Sequence, residues 1–202
     1  MAFTDVTYYK GITNIPNLDK DLSSFTSEYI EVYEKEILFK FLGHALYALL
    51  ITNKNQASGI YKELISGKEY DAEVRGETVK MKWNGLVNSE KLSLLSYYVF
   101  ARYAQINVTQ FTGIGNSIAQ KENAVSVSPK MRIIYAYAEC AKLSGNYRTN
   151  KNIRNLQYND IFDCYIKEYE ESLFNFLYYN NTAYPDWIFN RPDIYDYNRF
   201  DL

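Results

Sequence analysis

Between Tyr29 and Leu50 the apolar residues recur with a period that suits an α-helix. Tyr29, Tyr33, Ile37 and Phe41 fall at every fourth position, and Leu38, Leu42, Leu46 and Leu50 form a neighbouring row. Glu28, Glu31, Glu34, Glu36 and Lys40 fall mostly off these rows. The segment therefore predicts a long amphipathic helix that needs another element against its apolar side. Gly43 punctuates it as a kink or a cap.

Other patterns follow along the chain. A short helix is expected at about 57–66, stopped by Gly67. Residues 72–84 read as a β-hairpin, because Val79, Met81 and Trp83 alternate with Thr78, Lys80 and Lys82 after the turn signal Arg75-Gly76-Glu77. A second long helix is expected from Asn88 or Ser89, either of which can cap it. Its stripe is Leu92, Leu95, Val99 and Ile106, widened by Tyr98, Phe100 and Tyr103. Residues 109–127 carry two glycines and little periodicity and read as a long loop. Ser128-Pro129 opens a helix that runs to about Leu143 and stops at Ser144-Gly145. The last helix, at about 160–179, presents Phe162, Tyr165, Ile166, Tyr169, Leu173, Phe176 and Leu177.

The expected fold is mostly α. A single helical-bundle domain of about four to five helices spans 21–180 and includes the small hairpin; extended arms occupy 1–20 and 181–202. At 202 residues the chain can fill one core. The first arm contains Asn14-Ile15-Pro16-Asn17, which breaks helix. The second has Pro185 and Pro192 and no period, yet it is rich in rings. Exposed rings favour burial, so this arm should lie against its own domain or a neighbouring subunit.

Composition narrows the function. The formal charge of -2 argues against a general nucleic-acid binder, which usually carries a basic surplus. Tyr, Phe and Trp make up 17% of the chain, and such rings suit subunit interfaces as well as half-buried positions. The longest apolar run, residues 41–51, is interrupted by Gly43 and His44 and is too short to span a bilayer. The start of the chain lacks the basic-then-apolar pattern of a secretory signal. Cys140 and Cys164 lack metal-site spacing and are expected as buried thiols.

The search for chemistry assigns no catalytic, cofactor-binding or metal-ligating residue. His44 is the only histidine and sits in an apolar run, where a packed or capping role is expected. Gly113-Ile114-Gly115 follows a helix rather than a strand, and Ile118 stands where a phosphate loop needs a small residue. Glu168, Glu170 and Glu171, with the one histidine, are the only material for a small carboxylate-dependent hydrolase, and the glutamates' spacing beside Lys167 reads as a solvated face. Arg148, Lys151 and Arg154 are the candidate contacts to DNA or a partner, as in a DNA-contacting packaging factor.

One ordered series of motifs remains. Tyr33-Glu34-Lys35-Glu36-Ile37-Leu38 followed by Phe41-Leu42-Gly43-His44-Ala45-Leu46-Tyr47 resembles the "YE…iL…lLG..lY" opening of head-to-tail connector proteins of tailed bacteriophages. The likeness is greatest to connectors of crAss-like and other Bacteroides-type phages. Residues 61–70, from Tyr61 through Leu64 and Gly67 to Tyr70, resemble their "y..Ll.G..y" step, and Trp83-Asn84-Gly85-Leu86 resembles their "W.GL". Thr112-Gly113 with Lys121-Glu122-Asn123 is similar to their "tG….eN" loop, and Asn198-Arg199-Phe200-Asp201-Leu202 to their "iN.FG[IL]" ending. Asp201 departs from the usual Gly, and residues 1–20 have no counterpart.

The resemblance implies a subunit of a homo-oligomeric ring, typically of twelve copies, in the virion neck. The ring would join the portal protein to an adjacent tail or neck ring and line a channel for transient passage of DNA. The expected partners are thus other copies of this chain, the portal protein, the next ring and DNA in transit, with no membrane. The chain would be made in the host cytoplasm. The residues expected at the interfaces are Phe111 and Ile114 in the loop, and Tyr184, Trp187, Phe189, Tyr195, Tyr197, Phe200 and Leu202 in the last arm.

Overall fold

A computed structural model describes residues 2–15, 29–56, 58–74, 76–107, 110–112, 115–117, 130–145 and 172–187. The chain is mostly helical, with a small two-stranded antiparallel hairpin. Helix α1, Glu31–Thr52, buries Tyr33, Ile37, Leu38, Phe41, Leu42, Leu46 and Leu50, the two rows read from the sequence. Gly43 lies inside it at φ 73°, ψ 173° and bends it. Glu34, expected off the apolar rows, is instead 2% exposed. It follows Ile30 and precedes Leu38 on one i, i+4 row, so the helix carries it inward.

Helix α2, Ile60–Ser66, ends at Gly67 and leads into β1, Lys68–Val74, and β2, Glu77–Trp83. Their antiparallel register runs from Lys68↔Trp83 to Val74↔Glu77, so the hairpin begins four residues before the expected 72. Tyr70, Ala72, Met81 and Trp83 face the core. The exit from β2 crosses back over the end of α2. A Cβ on Gly67 would stand 2.3 Å from the Trp83 carbonyl oxygen, and one on Gly85 would stand 2.6 Å from that of Ile65. Both glycines have positive φ, and the joint is closed by Val87 N–H to Ile65 O (2.8 Å) and Trp83 Nε1–H to Leu64 O (2.8 Å). Two of the motifs in the ordered series thus meet at one backbone crossing.

Helix α3, Leu94–Asn107, begins later than the expected Asn88 or Ser89. Asn88 bonds both backbone groups of Leu92, while Ser93 and Ser96 cap each other's amides in a reciprocal box. Leu92 and Ile106, expected on the buried stripe, are each 48% exposed; Leu95, Tyr98, Val99 and Phe100 are buried. Two short strands, β3 (Gln110–Thr112) and β4 (Gly115–Ser117), pair antiparallel where an unstructured loop was expected, and the rest of 109–127 lies outside the described residues.

Helix α4, Lys130–Ser144, ends at Gly145 as the sequence predicts and packs along α3, which also packs on α1. Ring pairs Tyr98–Tyr137 and Tyr97–Tyr135 mark the α3–α4 seam. Helix α5, Leu173–Tyr179, starts afresh at Ser172, whose backbone is extended (ψ 146°) and whose hydroxyl accepts from Asn175 N. An uninterrupted helix over 160–179 is therefore corrected at its C-terminal end; residues 160–171 lie outside the described part. Leu173, Phe176 and Leu177 are buried, with Phe176 between Tyr70, Trp83 and Tyr184.

Within the expected first arm, residues 2–15 are not extended, and residues 16–20 lie outside the described residues. Residues 2–15 contain two 3-10 turns, Val6–Tyr8 and Gly11–Thr13, and lie on the core with Tyr8, Tyr9, Thr13 and Ile15 buried.

Candidate functional site

Among the described residues, polar side chains on and around α1 fasten three separate parts of the chain. The first fastening is Glu34. Its carboxylate accepts from the amides of Phe3 (2.6 Å) and Thr4 (2.7 Å) and from the Thr4 hydroxyl (2.6 Å). Burial nevertheless holds its pKa above the ordinary glutamate range, because desolvation outweighs these donors and the charge of Lys54. Lys54 donates to the Ala2 carbonyl and lies 4.0 Å from the centre of the Phe3 ring. Beside this clasp is a groove of about 380 Å³ lined by Phe3, Glu31, Val32, Glu34, Lys35, Leu38 and Tyr47.

Further along, the strap formed by residues 2–15 is held by other elements. The Tyr8 hydroxyl donates to Asn88 O and accepts from Asn88 N. Arg132 of α4 donates to the carbonyls of Ile12 (3.1 Å) and Asn14 (3.0 Å).

The second fastening is a polar cluster across α1, α3 and α4. Lys40 Nζ donates to Glu36 (2.8 Å) and to the Tyr98 hydroxyl (3.2 Å), and Tyr98 in turn donates to Glu36 (2.8 Å). Arg102 Nε stands 3.6 Å from the same carboxylate, and Tyr137 donates to Gln105 (2.8 Å). Burial pushes Glu36 up, but these two hydrogen bonds and the two cations outweigh it and hold the carboxyl below its ordinary range. The Tyr98 phenol is pushed up by burial and by its bond to Glu36.

The third fastening is the segment after α5. The Tyr184 hydroxyl donates to Ile60 O (2.6 Å), and the Trp187 indole N–H donates to Phe41 O (3.1 Å) while its ring meets Phe174 edge-on. Tyr184 is 2% exposed. Its ring is enclosed by its own domain and Trp187 is half-buried there, so this part of the last arm takes the first of the two placements expected of it, against its own domain.

The other expected residues divide clearly. Phe111 is in β3; Ile114, Phe189, Tyr195, Tyr197, Phe200 and Leu202 lie outside the described residues, as do Arg148, Lys151, Arg154, Glu168, Glu170, Glu171 and Cys164. Cys140 is fully buried, and burial raises its thiol pKa. His44 is exposed and meets Phe39 edge-on, not packed in the core. Glu34, Arg132 and the Trp187–Phe41 contact were missed by sequence reasoning. Glu34 left a signal in its place on the Ile30–Leu38 row; a bond between residues 146 apart left none. Among the described residues no cluster of His, Cys, Asp or Glu is placed to hold a metal ion, and no helix is long and apolar enough to cross a membrane.

Comparison with known proteins finds no match: no family model, no curated protein and no solved structure is similar enough to this chain to assign it a relative.

Proposed function

We propose that this chain is a structural head-to-tail connector subunit of a tailed phage, forming an oligomeric ring in the virion neck through which DNA passes. The single observation that carries the reading is the ordered motif series from Tyr33 to Leu202, which resembles connectors in both sequence and spacing. A mostly helical architecture is in keeping with it, as is the meeting of the Gly67 and Gly85 motifs at one joint. A charge of -2 suits the wall of a conduit, since strongly basic walls would hold DNA rather than pass it. A ring needs two different complementary faces on each subunit, because head-to-tail contacts close only by rotation.

The purified chain, alone and mixed with the portal protein of the same phage, tests this by light scattering and negative-stain electron microscopy. Closed rings, with class averages near twelvefold, are the expected result. A monomer under both conditions, together with absence of the chain from purified virions, overturns the proposal.

A further inference from the structure

Helix α1 is bent at Gly43, and the bend is held from two sides. The conformation φ 73°, ψ 173° lies in a region that only glycine enters freely. It interrupts the i to i+4 ladder, and one carbonyl at the break, that of Phe41, takes the Trp187 indole N–H at 3.1 Å. On the solvent-exposed surface, Phe39 meets His44 at 5.4 Å and Tyr47 at 5.2 Å between ring centroids. In a straight helix, residues eight apart are separated by about 12 Å along the axis, so a Phe39–Tyr47 contact of this kind belongs to the bent form. A Cβ at Gly43 would meet nothing within 4 Å. An alanine at 43 would therefore meet no steric obstacle, only the unfavourable φ.

We infer that Gly43 is a hinge and Trp187 its latch: seating the 180–187 turn against α1 holds the helix bent, and withdrawing Trp187 from Phe41 lets α1 straighten. The latch reaches Trp187 through a run of turns, Ala183 N–H to Asn180 O, Tyr184 N–H to Asn181 O and Trp187 N–H to Tyr184 O. Straightening would separate Phe39 from Tyr47, which also lines the groove beside Glu34. The 180–187 turn is thereby coupled to the surface of α1. Linkage makes the coupling reciprocal: whatever straightens α1 must also loosen Trp187. The device does not depend on ring formation.

The test uses the full chain with spin labels, introduced as unnatural amino acids at the exposed positions Lys35 and Thr52, and pulsed electron resonance to read their separation. A straight helix would space these two Cα atoms by about 25 Å along its axis. The parent protein is expected to give a main population shorter than a straight-helix control. Trp187→Phe keeps a ring against Phe174 but removes the donor; the longer population, a small minority in the parent, should rise about five- to tenfold relative to the shorter one, as loss of one hydrogen bond allows. Gly43→Ala should give mainly the longer distance. A parent already at the straight-helix distance, or a Trp187→Phe distribution identical to the parent's, overturns the inference. If Gly43→Ala fails to fold, the Trp187→Phe result decides alone.

Discussion

Two carboxylates two residues apart on α1, Glu34 and Glu36, respond to folding in opposite senses. Glu34 is raised by burial, so the folded chain binds its proton more tightly than the unfolded chain does. Its contribution to stability is complete below the ordinary value of 4.5 and is lost as pH rises through the raised value. Glu36 is also pushed up by burial but is held below 4.5 by Lys40, Tyr98 and Arg102. Its contribution is complete above 4.5 and is lost as pH falls through the lowered value. Urea midpoints measured from about pH 3 to pH 7 should separate the two. Glu34→Gln should flatten the loss on the rising side and Glu36→Gln the loss on the acid side; two profiles parallel to the parent's would contradict both assignments. Sequence period alone put both residues on a polar face. The period was right for Glu36, but Glu34 shares its row with Ile30 and Leu38, and only the arrival of Phe3 and Thr4 makes a buried carboxylate tolerable there.

At the scale of elements, the legible features were those set by near neighbours. The rows of α1, the stop at Gly67, the alternation in β2 and the end of α4 at Gly145 all depend on residues a few positions apart. The start of α3 was misread because Asn88 and Ser93 are both good caps, and Asn88 serves a turn at Leu92 instead. The break at Ser172 was hidden by an apolar period that continues through it. The crossing of Gly67 and Gly85 separates two costs that glycine removes. Gly85→Ala adds both a clash with the Ile65 carbonyl and an unfavourable φ of 85°, whereas Gly76→Ala at φ 81° meets nothing within 4 Å. The first should lower stability by about 3 kcal/mol or more and the second by about 1 kcal/mol. Equal losses in chemical denaturation would show that the crossing is looser than its geometry.

For the whole molecule, residues 2–15 are part of the core. Tyr8, Tyr9 and Ile15 are each at most 4% exposed. Burying each such side chain contributes about 1.5–3 kcal/mol, so removing residues 1–15 should lower the unfolding free energy by about 5 kcal/mol or more. That is comparable with the whole stability of many domains, about 5–15 kcal/mol. Loss of a cooperative urea transition, or a midpoint far below the parent's, is expected; an unchanged midpoint would show the strap to be an appendage. No local pattern in residues 1–20 announces this burial, because its partners, Glu34, Asn88 and Arg132, come from three distant places in the chain.

Those distances govern the order in which the molecule can be completed. Phe41 leaves the ribosome 146 residues ahead of Trp187, and Ile60 leaves 124 residues ahead of Tyr184. During synthesis α1 must therefore wait, with part of its apolar side uncovered, for aromatic partners that are made much later. Pairings so far apart in sequence slow folding and lengthen exposure to wrong neighbours. A nascent chain halted before Trp187 should remain protease-sensitive around Gly43 even when the helices before it are already formed.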